Sequence, residues 1–134
     1  MNDLGNKNRN KIKSFTDLKS WQEAHILVLK IYKITTQFPR DEIYGLTNQI
    51  RRSAVSITSN ITEGFGRQKM KDKIRFYYTA QGSLTELKSQ LLIAKDIGYL
   101  TKEEFAILAK QVNKAHALLQ GLIKKSREFL ILKS

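Results

Sequence analysis

Residues 41–66 read DEIYGLTNQIRRSAVSITSNITEGFG and carry a clear helical pattern. Asp41 and Glu42 suit the positive N-terminal end of a helix dipole, so we expect the helix to begin there. Gly64 predicts its C-terminal end, because glycine adopts the left-handed conformation without Cβ strain. Between them, apolar side chains recur every three or four residues, the period of one helix face. These apolar residues are Leu46, Ile50, Ala54, Ile57 and Ile61.

A second helix is predicted upstream of this segment. Apolar residues with helical spacing begin at Phe15 and continue to Phe38. Pro39 cannot continue that helix, because proline has no N–H to donate. Residues 1–13 are polar and lack this periodicity, which predicts a basic, flexible N-terminal arm before a bundle domain at 14–134.

Two more helices are predicted downstream. One follows Gly66 and ends near Gly98, and another begins at Thr101, which has the capping-box spacing with Glu104. No segment has the pattern of a strand, and the connections are too short for crossovers. The sequence therefore predicts an all-α fold, an antiparallel up-down-up-down four-helix bundle. The apolar stripes of the first and last helices are wider than one bundle interior needs, so we expect a homo-oligomer.

Composition limits the classes of function. The chain has 24 Lys and Arg against 12 Asp and Glu, a formal net charge of +12. Such charge attracts phosphate backbones or acidic membrane surfaces, although a merely soluble basic protein would share it. There is no cysteine for a disulfide or a thiolate metal site. No apolar run approaches the ~18 residues of a membrane span, so we expect a cytoplasmic protein without a membrane partner.

Basic residues are concentrated in EGFGRQKMKDKIRF, residues 63–76. On a helix that starts near Lys69, the side chains of Lys69 and Lys73 lie on one flank, those of Lys71 and Arg75 lie on the other, and none of the three lysines points into the core. Arg67 lies in the preceding turn. The cluster suits a phosphate-bearing partner, and the alternative is a solvated lysine-rich loop.

Groups for catalysis are scarce. His25 and His116 lie in or beside apolar stripes, where a lone histidine is usually a hydrogen-bonded core residue. The Glu-x-x-His motif of helical metal sites is absent. Residues 64–66, GFG, lack both the preceding strand and the Gly-Lys-Ser/Thr of a phosphate-binding loop. We therefore expect neither an enzyme nor a cofactor.

Three segments resemble a known family. They are the F-x-D-L-x-x-W-Q-E-A opening at 15–24, YGLTNQIRRSAVSITSNITEGFGR at 44–67 and FYYTAQGSLTELKSQLLIAKDIGYL at 76–100. In order and spacing they resemble the 23S rRNA intervening sequence proteins, and they are similar to accessory variability determinant proteins of diversity-generating retroelements. The resemblance implies a four-helix protomer in a five-subunit ring with a basic surface, thought to bind RNA or DNA and without known catalytic activity. Thr58 and Thr62 depart from the family pattern by small changes.

The leading hypothesis is a non-enzymatic oligomer that binds RNA or DNA mainly through backbone contacts. Tyr77 is expected in the core, and Tyr78 is a candidate for base stacking. An Arg52–Glu86 ion pair is predicted between the second and third helices. The alternative is a scaffold that docks an acidic protein, such as a reverse transcriptase or ribosomal protein. The candidate phosphate contacts are Arg51, Arg52, Arg67, Lys69, Lys71, Lys73 and Arg75, with help from Lys7, Arg9, Lys11 and Lys13.

Overall fold

A computed structural model describes residues 11–133 of the chain. This part contains four α-helices and two short 3-10 helices and no strand, so the predicted all-α class is confirmed. Residues 1–10 of the predicted arm, with Lys7 and Arg9 among them, lie outside the described residues. The 3-10 helices are Phe15–Asp17 and Arg40–Glu42. The α-helices are α1 (Lys19–Thr35), α2 (Leu46–Gly66), α3 (Met70–Asp96) and α4 (Lys102–Lys133).

The core lies between the four helices and follows the predicted stripes. Side chains of α2 that share one helix face are completely buried at Ile50, Ile57 and Ile61. Tyr77 of α3 is buried beside them, as expected. None of the helices from 11 to 133 combines the length and apolarity needed to cross a membrane. The largest fully buried side chains elsewhere are Leu27, Ile31, Leu84, Leu87, Leu91, Val112 and Leu119.

The connection between α1 and α2 is longer than predicted. The first α-helix ends at Thr35, before Phe38, and Phe38 is buried without being helical. The start predicted at Asp41 or Glu42 is also wrong, because α2 begins at Leu46. The carboxylate of Glu42 accepts a hydrogen bond from the N–H of Leu46 at 3.1 Å. It therefore stabilises the helix from outside the first turn instead of belonging to it.

Gly64 does not end α2, which continues to Gly66. Among the described residues only Gly98, just after α3, has a positive φ, at 90°. Gly64 is buried instead, and a Cβ placed there would lie 2.6 Å from Cε1 of Tyr77. The glycine is needed for the close approach of α3 and not for a turn.

The start of α4 is the capping box that the sequence predicts. The N–H of Glu104 donates to Oγ1 of Thr101 at 3.0 Å, and the N–H of Thr101 donates to Oε1 of Glu104 at 2.9 Å. Glu104 also accepts a hydrogen bond from Gln37, which follows α1. Glu104 therefore caps the start of α4 and also connects it to the segment that follows α1.

Contacts between helices show which segments lie at the same end of the molecule. The start of α1, the end of α2, the start of α3 and the end of α4 lie together. The end of α1, the start of α2, the end of α3 and the start of α4 form the opposite end. The contacts at the first end are Lys73 with Phe65, Tyr78 with Arg127, and Trp21 beside Glu63 in one groove. The contacts at the second are Arg51 with Thr35, Tyr99 with Glu42, and Gln37 with Glu104.

Candidate nucleic-acid interface

Lys69 and Lys71 are the candidates that fit the predicted role directly. Lys69 immediately precedes α3 and Lys71 lies in its first turn. Both side chains are exposed, and neither forms a hydrogen bond or ion pair with any residue from 11 to 133. Their ammonium groups are therefore available to an anionic ligand.

Lys73 differs from its neighbours. Its Nζ donates to the carbonyl oxygen of Phe65 at 2.6 Å and lies 3.4 Å from that of Gly64. The ammonium group thus satisfies carbonyls at the C-terminal end of α2, where the helix dipole favours positive charge. Partial burial lowers the pKa of Lys73. The prediction that none of the three lysines points inward is wrong for Lys73, because the end of α2 supplies acceptors close to its helix face.

Two arginines of the cluster already have acidic partners. Arg67 pairs with Glu63 at 3.3 Å, and Arg75 lies 3.7 Å from Asp72. Both guanidinium groups lie over the ring of Phe76, at 4.6 and 5.6 Å from its centroid. These arginines are held in position at the surface, and exposed ion pairs of this kind are weak enough to exchange for a phosphate.

Arg51 and Arg52 are not brought to the cluster. Nε of Arg51 donates to Oγ1 of Thr35 at 2.8 Å, and its guanidinium covers the ring of Tyr32. Arg51 therefore joins α2 to α1. Arg52 is exposed at the same end of the molecule.

The predicted Arg52–Glu86 ion pair does not form in the described part of the chain. Instead, Oε1 of Glu86 accepts a hydrogen bond from Oγ of Ser53 at 3.0 Å. Ser53 is buried between α2 and α3, whereas Arg52 is exposed and lines the same groove as Glu86 without pairing with it in the described residues.

Charge is distributed unevenly between the two ends. We define the basic end as residues 11–19, 63–75 and 124–133. Its acidic residues are Asp17, Glu63, Asp72 and Glu128. Its basic residues are Lys11, Lys13, Lys19, Arg67, Lys69, Lys71, Lys73, Arg75, Lys124, Lys125, Arg127 and Lys133.

The opposite end, residues 33–52 and 86–104, is nearly balanced. Its basic residues are Lys33, Arg40, Arg51, Arg52, Lys88, Lys95 and Lys102. Its acidic residues are Asp41, Glu42, Glu86, Asp96, Glu103 and Glu104. Most of the net positive charge of the described chain therefore belongs to the basic end.

The basic residues of α4 were missed by the sequence reasoning. Lys124, Lys125 and Arg127 follow the cluster by about fifty residues, and only packing brings them near it. The run KKSR at 124–127 contains three basic residues, but nothing in the sequence indicates that it lies near the segment 63–76. Nη1 of Arg127 donates to the hydroxyl of Tyr78 at 3.1 Å, which joins this part of α4 to the start of α3.

The two histidines contact a tryptophan and a glutamine. His25 was expected in the core but is exposed, where it stacks on Trp21 with centroids 4.7 Å apart. Nε2 of His116 lies 3.3 Å from Nε2 of Gln81. Residues 11–133 contain no group of three or more His, Cys, Asp or Glu arranged to hold a metal ion.

These features define a small, basic, all-α protein of four packed helices with its charge concentrated at one end. Residues 16–121 match the family model of the 23S rRNA-intervening sequence protein, and the chain belongs to that family. The resemblance seen in the sequence is thereby confirmed.

One solved structure with a similar fold is the crystal structure of a protein of unknown function from the S23 ribosomal protein family of Bacteroides thetaiotaomicron. The TM-score is 0.72 and the identity is 22%, over 78% of this chain and 95% of the other. Among curated proteins, none matches this chain.

Proposed function

We propose that the basic end binds nucleic acid, RNA or DNA, mainly through phosphate contacts, and that the protein is not an enzyme. The observation that carries this proposal is the concentration of basic residues from three separate segments at one end of the molecule. Lys69 and Lys71 lie at the start of α3, where the helix dipole disfavours cations by ~0.3–1 kcal/mol each. A phosphate would remove that cost and would also attract the free N–H groups of the first turn.

The proposal includes assembly. We propose that the four helices run antiparallel in up-down-up-down order and that five subunits form a ring. Support comes from apolar side chains left uncovered on α1, including Leu29, which is 57% exposed. A ring of five would place several basic ends within reach of one polyanion, and binding would then be strong and salt-dependent.

The test compares two pairs of lysines with equal charge change. The double variant Lys69→Gln, Lys71→Gln removes exposed charge from the basic end, and the control Lys88→Gln, Lys110→Gln removes it from exposed positions outside that end. Affinity for a labelled single-stranded oligonucleotide is measured from low to moderate salt. Each phosphate contact contributes about 0.7 to the log–log slope, so the first variant should lower the slope by about 1.4 per subunit engaged.

Equal slopes in both variants and the parent would contradict the proposal for these positions. Lys73 is left unchanged because its side chain donates hydrogen bonds to α2. Its replacement would lower stability, and a loss of binding could then not be assigned to the lost charge. If the parent binds no nucleic acid at low salt, an acidic protein, such as a reverse transcriptase or ribosomal protein, becomes the proposed partner of the same surface.

A further inference from the structure

A groove opens at the basic end between α3 and the last part of α4. It has a volume of about 400 Å³, within the usual range for small-ligand sites. Ile123, which is almost completely buried, lies beneath it. The family model ends at residue 121, so most of the α4 side of the groove lies beyond the matched region. The lining also includes Tyr78, Gln81, Gln120, Lys124, Arg127 and Glu128.

Tyr78 offers a flat aromatic surface to this groove. Its side chain is 43% exposed, whereas its neighbour Tyr77 is in the core. The hydrogen bond from Arg127 to the hydroxyl of Tyr78 holds the phenol against α4. The ring is thus positioned before any ligand arrives, which lowers the entropy cost of stacking.

Cations and amides surround this ring. Lys124 and Arg127 are exposed on the same side of α4, one turn apart, and supply charge for a phosphate. The amide of Gln120 presents donors and an acceptor, as the edges of nucleobases do, and Gln81, whose Nε2 contacts His116, adds its amide oxygen. Glu128 also lines the groove; its carboxylate repels phosphate but accepts hydrogen bonds from base amino groups.

We propose that this groove receives an unpaired base of a single-stranded nucleic acid, stacked on Tyr78, with an adjacent phosphate bound by Lys124 and Arg127. The inference rests on the proposed function and adds to it a preference for single-stranded over duplex nucleic acid. In a duplex the faces of the bases are covered by their neighbours, so an aromatic side chain reaches them only after a base leaves the stack. The basic end alone would bind single strands and duplexes through phosphates in the same way.

The experiment measures binding of the full chain to three labelled probes at one moderate salt concentration. The probes are a single-stranded oligonucleotide, the same sequence as a duplex, and an abasic strand with the same number of phosphates. Tyr78→Ala should weaken binding of the single strand about tenfold, since stacking on an aromatic side chain accounts for a loss of that size. The same variant should change the affinity for the duplex and for the abasic strand by less than about twofold.

Two variants serve as controls. Tyr78→Phe keeps the ring and loses only the hydroxyl, so it should retain most of the affinity for the single strand. Tyr44→Ala removes a tyrosine that is 94% exposed at the opposite end and should change nothing. Thermal melting of each variant checks that the fold is unchanged.

The outcomes separate this inference from the proposed function. Salt-dependent binding of all three probes, unaffected by Tyr78→Ala, would overturn the base-binding groove and leave the phosphate-binding basic end standing. An equal loss on all three probes would overturn it too, because Tyr78 would then act only through the position of Arg127. Failure of the parent to bind any probe would overturn both.

Discussion

At the scale of single residues, Gly64 decides how closely α2 and α3 approach. A Cβ there would lie 2.6 Å from Cε1 of Tyr77 and 3.0 Å from the carbonyl oxygen of Lys73, and the backbone atom cannot move aside cheaply. Tyr77 is buried, and this burial raises the pKa of its hydroxyl to about 12. The contact is therefore tight, water-poor and intolerant of added volume.

Gly64→Ala should destabilise the protein by about 1–3 kcal/mol, because the added methyl group overpacks the contact with Tyr77. The matched control is Gly66→Ala, where a Cβ meets nothing within 4 Å. That change should be neutral or slightly stabilising, since alanine favours the helix. Urea denaturation measures both, and equal free energies of unfolding would show that the contact between Gly64 and Tyr77 has room for the methyl group.

Lys73 is the second residue whose role depends on its surroundings. Lys73→Ala removes the donor to the carbonyl oxygens of Phe65 and Gly64, so we expect a loss of about 1 kcal/mol in the free energy of unfolding. Lys71→Ala, two positions away and exposed, should leave stability unchanged or raise it by up to about 1 kcal/mol, because it removes a cation from the start of α3. If chemical denaturation shows a larger loss of unfolding free energy for Lys71→Ala than for Lys73→Ala, the structural role given to Lys73 is contradicted.

At the scale of the elements, two carboxylates stabilise the helix starts at the opposite end. The hydroxyl of Tyr99 donates to Glu42 at 2.7 Å, so the segment after α3 is tied to the start of α2. This bond, with the N–H of Leu46, lowers the pKa of Glu42. The N–H of Thr101, followed by Gln37, lowers the pKa of Glu104. Each carboxylate thus contributes to stability only while it is ionised.

Stability should therefore depend on acid pH with a definite sign. The folded-state pKa of Glu42 and of Glu104 lies below its unfolded value near 4.5, so their stabilisation is complete above that pH. It is lost as the pH falls through the folded-state value. At pH 7 the melting temperatures of Glu42→Gln and Glu104→Gln should be lower than that of the parent. This difference in melting temperature should be smaller at pH 3, where the parent's carboxylates are protonated.

Glu103→Gln is the control for this pH series. Glu103 lies in the same first turn of α4 as Glu104, but its side chain is exposed and accepts no hydrogen bond from residues 11–133. At pH 7 its melting temperature should fall by less than that of Glu104→Gln, because it loses only an interaction with the helix dipole and no hydrogen bond. A constant gap between the Glu104→Gln variant and the parent over this range would argue that the carboxylate does not titrate with folding.

At the scale of the whole molecule, one bundle leaves apolar surface uncovered. Ile26, Leu29 and Tyr32 follow one exposed line along α1, and Val55 of α2 lies beside Tyr32 in a shared groove. Contiguous exposed apolar side chains of this kind mark an interaction surface. A second copy would cover it, which agrees with the wide apolar stripe that the sequence shows for the first helix.

The proposed ring predicts a mass in solution of five times the 15.5 kDa of one chain. Leu29→Lys should dissociate it, because the new charge would be buried at the contact between subunits. Ile43→Lys, which changes a side chain that is 50% exposed outside this line, should leave the mass unchanged. Light scattering at micromolar concentration measures all three proteins, and a monomeric parent would rule the ring out.

The sequence by itself determined the class of fold, because helical periodicity, Pro39 and the Thr101–Glu104 cap act through neighbours within about four residues. It also determined the amount of positive charge. Only the tertiary structure decided where that charge lies, since the basic end combines three segments distant in sequence. The same holds for Gly64, whose local signal predicts a turn while its partner Tyr77 is on the next helix, and for Lys73, whose acceptors are on the previous one. Helix packing sets such contacts, and no local pattern records which faces will meet.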